Sequence, residues 1–364
     1  RPSDLAITLS ALGKLKHPDG VAAEAIVVDN ASRQPPTPPT TLRNGLPVRL
    51  ILRGANEAAA SRNAAARAAT GDWLIMLDDD SAPLNTDFLS AIEEAPMDVA
   101  AVGAEITLAD GSREAGGLPE VPVGCGVAIR REVFLDLGGY DPEFHFYAEE
   151  YDLAARILLA GFRIVHDRRF AVRHRKVDSG RDMNTILHRL VRNNGWVEQR
   201  YAPEAVRESA IAHVIERYRA IATKEDALKG YEAGLAELRI TLDRQPRREM
   251  SQALYDRFTG IAHAREHLAH SLAHIDAQSA ALIARGKHSA LIERVLSEQC
   301  VSIVASAVAA DALVIGTLSP GPMLDALDAC AAVDSRGHWS DESGRRVLTP
   351  WSLDTQATAS ASAR

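Results

Sequence analysis

The chain has 364 residues, 46% of them hydrophobic, and a formal charge of -8, so it is long enough for two or more cores. The acidic balance and the lack of a Lys/Arg block exclude a nucleic-acid partner held by phosphate neutralisation, and no uncharged run nears the roughly 20 apolar residues that cross a bilayer. Cys125, Cys300 and Cys330 are odd in number and lack metal-ligand spacing, so they read as reduced thiols serving as small buried hydrophobes in a cytosolic protein.

The chain opens on "RPSDLAITLSALGKL", where Leu5, Leu9, Leu12 and Leu15 fall at helical spacing and Ser3 is placed to cap. No signal peptide is expected ahead of the helix. From residue 25 to about 170, short apolar runs alternate with helical patterns: "AIVVD", "VRLIL", "EAAASRNAAARAA", "WLIML", "VAAVGAEI", "GVAIRREVF", "YDLAARILLAG" and "FRIV". That alternation predicts an α/β fold, an open and mostly parallel sheet covered by helices. Ligands of such sheets bind beyond the carboxyl ends of the strands, so Asp29 and Asp78, each ending an apolar run, are expected to face one crevice.

In "LIMLDDDSAP" four apolar residues run into three carboxylates, which repel one another and resist losing water. If the strand continues, Asp78 and Asp80 share one side and Asp79 takes the other. Two carboxylates on one side suit a hard cation such as Mg²⁺ or Mn²⁺, although the triplet by itself is also compatible with a solvated loop. A second acidic cluster, Glu149, Glu150 and Asp152, opens a helix after the turn-rich, aromatic "GGYDPEFHFYA". Acids are favoured in a first turn by the helix dipole, and Asp152 can pair with Arg156 one turn on. His174 follows in "AVRHRK".

Beyond residue 200 the pattern becomes long helices. Leu254, Phe258, Ile261, Arg265, Leu268, Leu272, Ile275, Ser279 and Leu282 form a narrow seam of coiled-coil type, expected to serve as a packing arm, a partner helix or a self-association surface. His263, His267, His270 and His274 fall on the opposite, solvated face. The chain is therefore divided into an α/β domain over 1–200, a helical region over 201–288, a small α/β piece over 289–349 around "DALVIGTLSPGPMLDALDACAA", and a disordered tail over 350–364.

Taken together, "VVDNAS", "SRN", "GDWLIMLDDDSAP", "AEEYDLAARILLAGFRIV" and "RH" resemble the family 2 glycosyltransferases of GT-A fold over about residues 1–200, and "HRKVDSGRDMNTILHRLVRNNGWV" resembles the continuation seen in bacterial rhamnosyltransferase-like members. The resemblance implies that Asp29 recognises the donor base and that Arg62 and Asn63 lie near the donor. It implies further that Asp78, Asp79 and Asp80 hold a divalent metal with the donor ribose and diphosphate, and that His174 joins the metal. Glu149 and Glu150 fall on the family's E-D motif, whose second acid is the general base. Glu150 stands where the family has Asp, which leaves Glu149 and Asp152 as alternatives for that role. The family's first strand is absent ahead of "RPSDL", so an apolar strand is expected to be encoded upstream.

The implied function is metal-dependent, inverting transfer from a nucleotide-diphosphate sugar to a saccharide or lipid-linked acceptor in cell-surface polysaccharide or glycolipid synthesis. The implied location is the cytoplasm or the inner face of the membrane. A non-catalytic nucleotide-sugar-binding or scaffold protein of envelope assembly is the alternative. A glycosidase needs no paired-Asp metal site, and a sugar nucleotidyltransferase needs a Gly-rich phosphate loop that is not visible.

Overall fold

The structure is a computed structural model that describes residues 1–16, 20–176, 182–330, 332–333 and 339–352. The expected disordered tail lies outside the described residues from 353 onward. In chain order, α1 (Pro2–Leu12) leads to β1 (Ala25–Asp29), β2 (Val48–Leu52), α2 (Arg62–Ala68) and β3 (Trp73–Leu77). Then come β4 (Ser81–Pro83), α3 (Phe88–Glu93), β5 (Val99–Thr107), β6 (Gly126–Arg130), α4 (Arg131–Asp136), α5 (Glu149–Leu159) and β7 (Arg163–His174). The helices α6 (Met183–Tyr201), α7 (Glu204–Lys224), α8 (Leu228–Thr241), α9 (Gln252–Phe258) and α10 (Ile261–Ile275) follow. The last part holds β8 (Ser279–Ile283), α11 (Ser289–Glu298), β9 (Ser302–Ile303), β10 (Ala312–Ile315), α12 (Pro320–Asp328), β11 (Ala332–Val333), β12 (Trp339–Ser340) and β13 (Arg346–Leu348).

These elements form the expected mixed α/β fold in two compact units. The first comprises residues 1–80, 129–162 and 176–255. Here β1 and β2 pair in parallel, from Ala25 beside Val48 to Asp29 beside Leu52. The apolar stripe of α1 packs on this pair through Leu9, Leu42 and Val48, with Leu5, Leu12, Ala25 and Val27 around them. The helices α6, α7 and α8 enclose a separate cluster built on Leu187, Val191, Val214, Tyr218 and Tyr231. Arg1, not Ser3, precedes the first helix, Ser3 lies inside it, and Leu15 lies beyond its end, because Pro2 takes the first helical position that proline's fixed φ suits.

The second unit comprises residues 81–128, 163–175 and 256–364. β5 and β7 pair in parallel while β4 runs antiparallel to β7. β7 is far longer than "FRIV", and His174 is its last residue rather than a residue beyond it. Its register jumps between Ala104 beside Asp167 and Glu105 beside Ala171. Arg168, Arg169 and Phe170 therefore sit in a bulge, and the charged "DRR" run at its start breaks the apolar pattern a strand is read from. A further sheet runs in the order β11, β12, β13, β10, β8, β9, with β8, β9, β10 and β13 parallel.

The seam over 254–282 is not one helix. Gly260, with φ +84°, separates α9 from α10, and Ser279 and Leu282 belong to β8. Phe258, Ile261, Leu268 and Leu272 are buried within the unit, so the seam is core and not a self-association surface. The four histidines do not share one solvated face either. His270 and His274 are exposed, but His263 pairs with buried Glu120 at 3.0 Å and His267 meets the Thr349 hydroxyl at 3.2 Å. Cys125 is buried and Cys330 half-buried, but Cys300 is exposed because it follows the end of α11 with a left-handed backbone.

Candidate active site

In the first unit Asp29 ends β1 and is buried, and its Oδ2 accepts from the Ser32 amide at 3.1 Å. Asn30 beside it donates to the Ala58 carbonyl at 3.1 Å and accepts from the Glu57 amide at 2.8 Å, which ties the end of β1 to the entry of α2. Arg62, the first residue of α2, pairs with Asp78. Asn63 turns the other way: it donates to the Tyr140 carbonyl at 2.8 Å and accepts from the Tyr140 amide at 2.9 Å. Both ends of the Asn63 amide are thus committed to the backbone at Tyr140, so it acts as a clamp on the chain that leads to α5.

The acidic triplet departs from the alternation expected of a strand. β3 ends at Leu77 and β4 starts at Ser81, so all three aspartates occupy a turn, where side chains need not alternate. Arg1 reaches Asp79 and Asp80 together, with 3.0 Å to Asp80, while Asp78 is held by Arg62. Asp80 is 2% exposed. Burial pushes the Asp79 carboxyl up from its usual range, against the pull of Arg1. Guanidinium groups thus meet all three carboxylates, which are hard oxygen donors of the kind that Mg²⁺ or Mn²⁺ takes.

The second acidic cluster lies in the same unit. Glu149 opens α5 behind Ala148, whose backbone is left-handed at φ +66°. Glu149 is 4% exposed and its Oε2 has no hydrogen-bond partner. Burial, reinforced by the neighbouring Glu150 and by Asp78, holds the Glu149 carboxyl well above the usual range, with Arg62 opposing. Glu150 is half-buried. Burial works against the Arg62 charge, yet Asp78, Tyr140, Glu149 and Glu150 together keep that guanidinium more basic than usual. Asp78, Arg62, Glu149 and Glu150 are therefore one electrostatic neighbourhood, which unites two of the sequence clusters.

Asp152 belongs to a different network. Its Oδ2 accepts from Arg156 at 2.7 and 2.9 Å, and its Oδ1 accepts from Arg200 at 2.9 Å and the Tyr201 hydroxyl at 2.6 Å. It is fully buried. With both oxygens engaged, Asp152 anchors α5 to α6 and has no oxygen left to take a proton. The Arg156 partner was legible one helical turn on, but Arg200 and Tyr201 lie 48 and 49 residues away with no local signal. In the second unit, His174 Nδ1 lies 3.0 Å from Glu114 and 3.6 Å from the Cys125 sulfur. Sequence reading missed Glu114, which sits in a turn-rich stretch without periodicity, and Arg1, whose side chain carries no motif.

The sequence matches no curated protein. Among solved structures it is similar to mannosyltransferase PcManGT from Pyrobaculum calidifontis in complex with GDP-Man and Mn²⁺, at 15% identity and TM-score 0.42 over 71% of this chain and 80% of that one. It is also similar to S. aureus TarS 1–349 in complex with UDP-GlcNAc, at 16% identity and TM-score 0.47 over 74% and 83%. GalNAc-T7 with UDP, GalNAc and Mn²⁺ is similar at 18% identity and TM-score 0.44, the match spanning 66% of this chain and 55% of that one. Residues 2–149 match the model of the family described as Glycosyl transferase family 2. That stretch runs from α1 to Glu149 and is the part of the chain that is similar to this family.

Proposed function

We propose that the chain transfers a sugar, with inversion, from a nucleotide-diphosphate donor to a hydroxyl acceptor in cell-surface polysaccharide or glycolipid synthesis, at the cytoplasmic side of the membrane. The observation that carries this reading is the neighbourhood in which Arg62 joins Asp78 to Glu149 and Glu150. Among the described residues no helix is long and apolar enough to cross a membrane.

Asp78 and Asp80 would hold a divalent ion. The ion would offset charge on the donor diphosphate. Arg62 stands beside Asp78 as a second positive charge for the leaving group. Asp29, at the end of β1, is the group we assign to the donor base. Glu150, half-buried and next to a carboxyl that favours its proton, is the carboxylate assigned to take the acceptor's proton. The acceptor oxygen then bonds to the anomeric carbon as the bond from that carbon to the diphosphate oxygen breaks. The electron pair leaves with the nucleoside diphosphate, and the acceptor's proton ends on Glu150.

Glu150→Gln tests the assignment. It is expected to leave donor binding intact and to lower turnover by roughly 10²-fold or more, as for loss of a general base. A variant with undiminished turnover would remove Glu150 from the mechanism.

A further inference from the structure

The segment that enters α5 is strained and held open. His145, Tyr147 and Ala148 have φ of +64°, +73° and +66°. Left-handed backbone is costly for residues that carry a Cβ, and three in four positions persist only where neighbours over-determine them. The neighbour that does so is Asn193 on α6, fully buried, whose amide nitrogen donates to the carbonyls of Phe144 at 2.9 Å, Phe146 at 2.9 Å and Tyr147 at 2.6 Å. The Ala59 amide adds a bond to the His145 carbonyl at 3.1 Å.

The effect on the side chains is selective. Phe144 is fully buried, edge-on to Trp196. Phe146 and Tyr147 are turned outward, 40% and 36% exposed, and among the described residues they are the Phe, Tyr and Trp side chains most open to solvent. Their ring centroids lie 6.4 Å apart at an interplanar angle of 52°. The Arg189 guanidinium stands 5.8 Å from the Phe146 ring. Exposed rings lose burial energy that a simple helix entry would not forfeit, and here they are displayed within four residues of Glu149 and Glu150.

We propose that residues 145–148 form the acceptor platform and that the acceptor it takes is a saccharide. A pyranose presents an apolar C–H face to Phe146 and Tyr147, and its hydroxyls are matched by a guanidinium donor at Arg189 and a carboxylate acceptor at Glu150. A lipid alcohol would need a longer apolar track than two tilted rings. This identification rests on the transferase reading above, which places an acceptor beside Glu150, but it is tested by binding and not by turnover.

The measurement is saturation-transfer NMR with methyl glycosides and, separately, decanol as probes, on the wild-type chain, Phe146→Ala, Tyr147→Ala and the ring-retaining Phe146→Tyr, with and without Mn²⁺ and a nucleoside diphosphate. Saturation is expected on the ring C–H protons of at least one methyl glycoside, with affinity weakened about tenfold in each alanine variant, the scale of one lost stacking contact, and kept in Phe146→Tyr. Equal affinity in all four proteins would overturn the platform, as would a wild-type chain that saturates decanol and no glycoside. Loss of turnover in the wild type with glycoside binding intact would count against the transferase reading alone.

Discussion

Glu149 and Glu150 are adjacent, yet the fold treats them differently, and the difference has a measurable consequence. The carboxyl of Glu149 is buried with an unbonded Oε2, and burial together with Glu150 raises its pKa. In the unfolded chain it titrates near the ordinary Glu value of about 4.3. Because the folded pKa is the higher one, the proton on Glu149 contributes stability that is fully present below the unfolded value and is lost as pH rises through the folded one. Glu149→Gln mimics the protonated form, so its melting temperature is expected to gain on the wild type as pH rises from about 4.3. Glu198, pushed up to about 7 by burial, acts with the same sign in both proteins and cancels in the difference. Melting curves for the two proteins across this range that stay parallel would contradict the account. From sequence this pair was legible as acids at a helix start; the division between them was not, since it arises from what covers α5 and not from the residues themselves.

At the scale of elements, the packing of α8 on α6 depends on missing side chains. A Cβ on Gly230 would come within 2.0 Å of the Asn184 carbonyl oxygen, and one on Gly234 within 2.2 Å of the His188 carbonyl oxygen. The two glycines are one turn apart on a single face of α8, so the helix backbones approach closely there. Glu237 then pairs with His188 at 2.7 Å and Arg192 at 2.7 Å across the same contact. Gly234→Ala is expected to cost about 1–3 kcal/mol through overpacking, lowering the melting temperature by several degrees; calorimetry of the variant with an unchanged melting temperature would refute the close approach. The long helices here were evident from periodicity. Their pairing was not, because a glycine reads as a helix weakener until the opposing backbone is known. The same limit explains the other departures: the apolar repeat through Phe258, Ile261, Leu268 and Leu272 was real, but Gly260 and the strand at Ser279 interrupt it. The aspartates after β3 lost their alternation to a turn of three residues.

For the whole molecule, the two compact units are each assembled from separated stretches, 1–80 with 129–162 and 176–255, and 81–128 with 163–175 and 256–364. A linear reading of composition places boundaries between neighbours in sequence and so drew them near 200 and 288; α6 crosses the first, and β8 opens its sheet ahead of the second. The strand that ends at Asp29 and the one that ends at Leu77, just before Asp78, were visible because an apolar run meeting a carboxylate is a local signal. The charge of the chain sets the central problem for the proposed donor. With a formal charge of -8, and with Asp78, Asp79, Asp80, Glu149 and Glu150 in its first unit, the protein repels a diphosphate unless positive charge is supplied. Arg62 and Arg1 supply part of it. The direct test is titration calorimetry of UDP, GDP and dTDP into the wild-type chain and Asp80→Asn, with Mn²⁺ and with chelator. The account predicts that at least one nucleotide binds with Mn²⁺, that chelator abolishes the binding, and that Asp80→Asn weakens it by about tenfold or more through loss of a charged oxygen ligand. Binding that is equal in chelator, or unchanged in Asp80→Asn, would contradict it.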